Sequence, residues 1–359
     1  MNSINFSVPG KKTTVPIHIG KGIFDKIKSA IPFNKYSSVL VITDENVSHH
    51  WSKRIHEVIG KKAYYLTIPA HEKAKTLSTV GKIWTMLSKK GFDRKSLVIN
   101  IGGGMVCDIG AFAASTYMRG IHFVQVPTTL LAQADAAIGG KTGFNFNGLK
   151  NTIGTFSAPV AIISDTVFLS TLPQREYLSG FAEIIKHAII ADKDLFKHLL
   201  KKDFTSLSSK ELDKMLSVSS NIKCEIVRKD PFEKNERKKL NFGHTVGHAV
   251  EMACSNSPTP LLHGEAVAIG MIAEARMSLL SGYLSEKKFR DIEKLISKAK
   301  LPNKTKAIYK NVISKKMLSD KKNVRQQIKW VCLKGIGEVE VDVDLPGEIM
   351  EQGLRYILK

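Results

Sequence analysis

His244 and His248, in LNFGHTVGHAVE, stand four residues apart, and in a helix that spacing puts both imidazoles on one face. His263 begins the next helix-patterned segment, HGEAVAIG; Glu183 lies in GFAEIIKHAII, three residues before Lys186 and four before His187. Two imidazole nitrogens and a carboxylate oxygen are a familiar set for a divalent ion such as zinc, with a fourth position open to water or substrate. The pattern is not the HExxH of zinc proteases, because Thr245 follows His244. Spacing does not decide which histidine of the pair is a ligand. The other can orient a substrate or shuttle a proton, since imidazole titrates near neutral pH. Taken singly, each group reads first as structural, a buried hydrogen-bonded histidine or a Glu paired with Lys. Lys223, Arg237 and Asn241 lie close upstream. Cations beside a metal suit a substrate with carboxylate and phosphate, the alternative being ion pairs on helix faces.

Glycine marks a second group. Gly102-Gly103-Gly104 directly follows the apolar run 97–101 and precedes a helical pattern. Glycine lets backbone N–H groups approach a phosphate closely, and a helix N-terminus favours negative charge. The spacing is not GxGxxG, so the usual dinucleotide fingerprint is absent. Asp44 and Asn46 follow an earlier strand-like run, where a carboxylate can accept hydrogen bonds from ribose hydroxyls. After the run 121–126 come Pro127-Thr128-Thr129, Asp135 and Gly139-Gly140-Lys141-Thr142-Gly143. Thr128 and Thr129 alone read as helix caps, and Lys141 alone as surface charge. Lys141 among glycine-rich turns, with Lys150-Asn151 following, makes a better anion site than either alone. These segments fall at the carboxyl ends of predicted parallel strands, where open α/β sheets bind ligands.

The elements that must position these groups are legible as two patterns. Runs 38–43, 63–68, 97–101, 121–126 and 159–164 are short, apolar and rich in β-branched residues, and helical spacing at about 46–60, 76–91 and 105–117 separates several of them. Buried strands alternating with helices predict a parallel sheet. Past about residue 172, amphipathic stretches at about 174–202, 210–229, 240–254, 264–282 and 286–299 predict helices, and strand-like runs return only at 328–333 and 338–343. The expected architecture is an α/β N-terminal domain with a Rossmann-like parallel sheet over 1–172, followed by a mostly α-helical domain over 173–359.

Composition excludes other classes. The 359 residues are 43% hydrophobic and 24% charged, with 26 Gly and 12 Pro, as in a foldable globular chain. No apolar run approaches the roughly 18 to 20 residues that span a bilayer, and the opening stretch has no signal-peptide core, so a cytoplasmic protein is expected. The four cysteines, Cys107, Cys224, Cys254 and Cys332, are scattered and read as reduced thiols. The net charge of +21 attracts anions, but Lys pairs recur along the whole chain without a nucleic-acid-binding signature. Asp320-Lys321-Lys322 is one further charge cluster of this kind.

GGGMVCDIGAFAASTYMRG, QVPTTLLAQADAAIGGKTGFN, GLKNTIGTF, TLPQREYLSGFAEIIKHAII, LNFGHTVGHAVE and HGEAVAIG occur in this order. Together they resemble the 3-dehydroquinate synthases, of the sugar-phosphate cyclase superfamily. The resemblance runs from about residue 38 to about residue 345. It implies NAD bound by the first domain, one zinc ion (Co2+ being a possible substitute) in the second, and a cytoplasmic homodimer acting on a phosphorylated, carboxylated sugar acid, with no nucleic-acid or membrane partner. It implies Glu183, His244 and His263 as zinc ligands and His248 as the catalytic histidine. Lys141, Lys150, Asn151, Lys186, Lys223, Arg237 and Asn241 would hold the substrate's phosphate, carboxylate and hydroxyls, and Arg119 would reach the phosphate. Cofactor contacts would come from Asp44, Asn46, Glu72, Lys75, Gly103, Gly104, Asp108, Thr128, Thr129, Asp135, Lys141, Lys150, Phe168, Leu169, Ser170 and Thr171. The implied reaction is a lyase step of the shikimate pathway, turning 3-deoxy-D-arabino-heptulosonate 7-phosphate into 3-dehydroquinate and phosphate. The rivals are an NAD- and zinc-dependent cyclase of the deoxy-inosose or valiolone type and a metal-dependent polyol dehydrogenase. The chain departs from the family pattern at Cys107, where Gly is usual, at Ala136-Ala137, where a Ser pair is usual, and in a longer stretch between His248 and His263.

Overall fold

The β-branched runs of the first half become the strands of one sheet. The computed structural model describes residues 2–7, 14–147, 149–306, 310–318 and 328–359; Asp320-Lys321-Lys322 lies outside the described residues. Its elements begin β1 (Asn2–Ser7), β2 (Thr14–Gly20), α1 (Ile27–Ala30), β3 (Val39–Asp44), α2 (Glu45–Ile59), β4 (Tyr64–Ile68), α3 (Leu77–Lys89), β5 (Leu97–Gly102), α4 (Gly104–Thr116), β6 (His122–Pro127), β7 (Lys141–Phe146), β8 (Leu149–Phe156) and β9 (Ile162–Asp165). The sheet order is β1-β2-β9-β6-β5-β3-β4. Only the β1–β2 pairing is antiparallel, which leaves six parallel strands. Every residue of β5 is buried, as expected for a central strand covered on both faces. Alternation along β3 divides the core. Leu40 and Ile42 pack with Val80, Ile83, Val106 and Phe112 of α3 and α4, and Val41 packs on the other face with Val47, Ile55 and Ile99.

Beyond Pro173 follow α5 (Gln174–Ala191), α6 (Lys193–Leu200), α7 (Ser209–Lys229), α8 (His244–Cys254), α9 (His263–Leu280), α10 (Glu286–Lys298), α11 (Lys310–Leu318), β10 (Trp330–Gly335), β11 (Glu338–Val343) and α12 (Gly347–Tyr356). The stretch 174–202, expected as one helix, is two. Asp192 interrupts it by accepting the N–H groups of Asp194 and Leu195, so its carboxylate begins α6 as a cap. The chain forms two compact units, Met1–Pro173 with Ser209–Pro231, and Gln174–Ser208 with Phe232–Lys359. The first boundary falls between Pro173 and Gln174. The second half is nonetheless interleaved, because α7 packs with the first unit, as the Thr166 hydroxyl bond to Asp213 Oδ1 at 2.8 Å shows.

Four strands were not foreseen. β1 and β2 lie on the sheet's edge side, and β7 pairs antiparallel with β8 where a glycine-rich loop was expected. Gly143 faces Gly154 there, and a Cβ on Gly154 would sit 2.1 Å from Thr142 O. The glycines therefore serve close backbone pairing across the hairpin.

Candidate functional site

In the second unit, glycine lets α8 and α9 meet backbone to backbone. Gly243, at φ 78°, precedes α8, where a Cβ would lie 2.5 Å from Met271 Cγ; a Cβ on Gly270 would lie 2.0 Å from Gly243 O, and one on Gly247 3.0 Å from Val267 Cα. Glu274 of α9, buried, accepts the N–H groups of Gly243 at 2.7 Å and Val246 at 3.1 Å, satisfying donors of the first turn of α8. α5 abuts the start of α9, since a Cβ on Gly264 would lie 2.0 Å from Ser179 O. One turn beyond Ser179 on α5 is Glu183. This packing gathers side chains that the sequence keeps 61 to 80 residues apart in number, Glu183 against His244 and His263.

The Glu183 carboxylate is fully buried. Its Oε1 lies 3.5 Å from His244 Nε2 and 3.7 Å from His263 Nε2, and its Oε2 pairs with the buried Lys186 ammonium. The His248 ring centre is 5.1 Å from that of His244 and 5.7 Å from that of His263, and one ring nitrogen from each of the three lies within 4.8 Å of the others. The far sides of two rings are tied. His244 Nδ1 meets Phe242 O at 3.2 Å, and His263 Nδ1 meets Glu251 Oε2 at 3.1 Å. Contacts at Nδ1 turn both Nε2 atoms toward the carboxylate, the arrangement in which outer partners orient metal-binding histidines. Burial, helped by Lys186 and opposed by Glu183, lowers the His244 imidazole well below its usual range. Desolvation pulls His263 the same way, but Glu183 and Glu251 overturn it and hold the imidazole up to about 10. Without a metal, His263 thus holds its proton more tightly than an ordinary imidazole, beside a carboxylate. That donor set fits a divalent cation in place of the proton.

In the first unit, Gly103 N-caps α4 with extended backbone, so the first turn of α4 opens at the carboxyl end of β5. A Cβ on Gly103 would lie 3.1 Å from Thr129 Cγ2 and one on Gly104 3.3 Å from Ala136 Cβ, tight contacts that a side chain could occupy only if its neighbours shifted by a few tenths of an ångström. Asp44 is buried and caps α2 through Val47 N at 2.9 Å; it also accepts from the Asn46 and Gly103 amides, while desolvation raises its carboxyl. The first-turn amides of α4, past Gly103, fit a nucleotide phosphate. Thr129 Oγ1 accepts Ala132 N at 3.2 Å, the capping role that spacing allowed. Cys107 is wholly buried, its thiol donating to Gly102 O at 3.7 Å and pushed up by burial.

Lys75, buried, donates to Asp108 and to Asn151, and Asn151 sits at φ 50° in β8 with its N–H on Asn145 Oδ1. Glu72 joins through Asn145 Nδ2 at 3.0 Å. Burial raises the Asp108 carboxyl against the pull of Lys75. Lys223 of α7 pairs with Asp135 Oδ1 at 2.7 Å and donates to its carbonyl at 2.6 Å. Lys141, Lys150 and Asn46 are exposed, as is Arg119, at φ 66°. Phe168 and Leu169 are core residues, Phe168 packing edge-on to Phe24 and Trp51, and Thr171 Oγ1 accepts Trp51 Nε1; Ser170 is exposed. In the second unit Arg237 is buried, and Asn241 donates to Glu233 Oε1 at 2.7 Å. Sequence reasoning missed Glu251, Glu233 and Glu274. Glu251 lies one turn after His248, a spacing that carries no signal of its contact with His263.

Family models described as 3-dehydroquinate synthase N-terminal and 3-dehydroquinate synthase C-terminal match residues 65–179 and 180–323. The 3-dehydroquinate synthase of Thermoanaerobacter pseudethanolicus is 40% identical over 347 residues, 95% of this chain and 97% of that protein. A crystal structure of 2-deoxy-scyllo-inosose synthase complexed with carbaglucose-6-phosphate, NAD+ and Co2+ has a TM-score of 0.89 at 24% identity, covering 99% of this chain and 100% of that one, a likeness of fold. The 2-epi-5-epi-valiolone synthase of Streptomyces hygroscopicus subsp. jinggangensis, with NAD+ and Zn2+ bound, has a TM-score of 0.86 at 26% identity, covering 98% of each chain.

Proposed function

Because the chain belongs to the 3-dehydroquinate synthase family, we propose that it converts 3-deoxy-D-arabino-heptulosonate 7-phosphate into 3-dehydroquinate and phosphate, the lyase step of the shikimate pathway toward chorismate and the aromatic amino acids. The observation that carries the reading to this chain's own residues is the centre where Glu183 Oε1 stands 3.5 Å and 3.7 Å from the Nε2 atoms of His244 and His263. The reading includes a cytoplasmic homodimer, nucleotide binding by the first unit and metal binding by the second.

The chemical difficulty is a carbon acid. The proton beside the phosphate-bearing carbon is too weakly acidic to leave until the neighbouring hydroxyl has become a ketone. NAD, when bound, would supply the hydride chemistry that this oxidation requires. A divalent metal, when bound, supplies Lewis acidity toward the hydroxyl and ketone oxygens. This chain's residues hold both groups. Glu183, His244 and His263 take the metal, with Phe242 O and Glu251 setting the two imidazoles, and Lys186 occupies the carboxylate's second oxygen. The first-turn amides of α4, past Gly103, take the pyrophosphate. His248, beside the ligands and outside the set, handles the released proton together with Lys186. Lys141, Lys150, Asn151, Lys223, Arg237, Asn241 and Arg119 hold the anionic ends of the substrate. Such positioning supplies about 7 to 11 kcal/mol in favourable systems.

The test incubates purified protein with the heptulosonate phosphate, NAD and zinc or cobalt. One phosphate released per substrate, with no net NADH absorbance, is expected. NADH accumulating without phosphate would make the protein a dehydrogenase. Phosphate release from an uncarboxylated sugar phosphate, but not from the heptulosonate, would make it a cyclase of the deoxy-inosose or valiolone type.

A further inference from the structure

Ser255–Leu262 joins α8 to α9 through turns and bends and delivers His263 to the centre. The beginning of the segment is fastened to α8, with Ser257 N on Cys254 O at 3.0 Å. Its end is fastened from elsewhere. Arg175, in the first turn of α5, donates through Nη2 to Pro260 O at 2.7 Å. Its Nε and Nη2 also grip Glu265 Oε1 and Oε2, at 2.7 and 2.6 Å. Glu265 is the third residue of α9, and its Oε2 accepts Leu262 N at 2.8 Å. One guanidinium therefore holds the carbonyl three residues before His263 and the carboxylate that caps the helix His263 begins.

We propose that Arg175 is a positioning residue for the metal centre: from the helix that carries Glu183, it fixes the start of α9 so that His263 Nε2 faces the Glu183 carboxylate. The inference rests on the metal reading above. Glu251 sets the ring of His263 from α8, and Arg175 sets its backbone from α5. Two residues eight positions apart on one helix, about 12 Å along its axis, thus supply one ligand and the anchor of another. Lysine cannot replace this anchor, because the contact needs a planar fork toward the carboxylate and a further N–H toward the carbonyl. The Arg175 side chain is 50% exposed, so its substitution leaves the core untouched.

The experiment strips the full-length protein of metal and titrates Co2+ against a chromophoric chelator, following the visible cobalt bands. Arg175→Lys, Arg175→Met and Glu265→Gln are compared with Arg290→Lys, which disturbs a similarly exposed pairing with Glu286 and Glu293 on α10. The Co2+ dissociation constant is expected to rise about 10-fold or more in both Arg175 variants, with altered cobalt bands, while metal-free thermal midpoints stay within about 2 °C of wild type. The Arg175→Lys/Glu265→Gln double variant should bind no more weakly than Glu265→Gln, since both act through one contact. Affinity within about twofold of wild type in both Arg175 variants overturns the proposal, as does an equal loss in Arg290→Lys. A wild-type protein that binds no Co2+ overturns the metal reading itself and this inference with it.

Discussion

His248 is the residue at which the proposed ligand and acid–base roles can be told apart by experiment. Its ring stands as close to His244 and His263 as they do to each other, with centre distances of 5.1, 5.7 and 5.5 Å. Three imidazoles alone are a known zinc set. The other two each point Nε2 at the buried Glu183 and have Nδ1 held from behind, which is the positive mark of a ligand. His248→Ala should therefore keep one metal per chain after dialysis and lose about 100-fold or more in turnover. Metal lost from that variant would make His248 a ligand. Glu183→Ala and His244→Ala should lose metal and activity together; stoichiometric metal in either removes that residue from the set. Spacing and motif single out Glu183, His244, His248 and His263, and the fold brings these side chains together. They do not single out Glu251, because a carboxylate one turn after a histidine reads as an ordinary helix surface until α9 brings His263 against it.

At the scale of elements, the seam between α8 and α9 carries the centre. A Cβ on Gly270 would strike Gly243 O at 2.0 Å and Gly247 N at 2.6 Å, all backbone that cannot swing aside. Gly270→Ala should push the helices apart, cost about 1 to 3 kcal/mol or more, and weaken metal binding. Gly282→Ala, at φ 75° with nothing within 4 Å, also destabilises, through backbone strain, but should leave metal affinity unchanged. Equal metal affinity in the two variants would sever the seam from the centre. Apolar runs located β3, β5, β6 and β9 to within a few residues, because strands buried on both faces leave a continuous signal; β4, at the sheet's edge and half-exposed, was found by its aromatic and β-branched run. The β7–β8 hairpin escaped because Gly139-Gly140-Lys141-Thr142-Gly143 has the composition of a loop, and the pairing across Gly143 and Gly154 depends on missing side chains. α6 was fused to α5 because periodicity is blind to a capping carboxylate such as Asp192.

Across the whole molecule, α7, with Lys223, follows the helical pattern of the second half and packs in the first unit. Amphipathic periodicity marks a buried face without naming what covers it. The net charge of +21 is likewise a property of the entire chain, and it gives stability a pH dependence of its own. The centre adds a component that can be isolated. In the metal-free protein His263 is held up to about 10 against an ordinary 6.5, so the folded state binds its proton more tightly than the unfolded chain. Its contribution is complete below about pH 6.5 and is lost as pH rises through about 10. His244, held well below 6.5, acts on the other side: the unfolded chain takes up its proton first, so acidification below about 6.5 destabilises the fold. A bound metal replaces the His263 proton, and the alkaline loss should then vanish. Urea midpoints measured from about pH 6 to about pH 10, with chelator or with Co2+, should diverge increasingly as pH rises. The lysine-rich background is common to both series and cancels in the difference. Parallel curves would mean that His263 exchanges no proton for metal and would remove it from the ligand set.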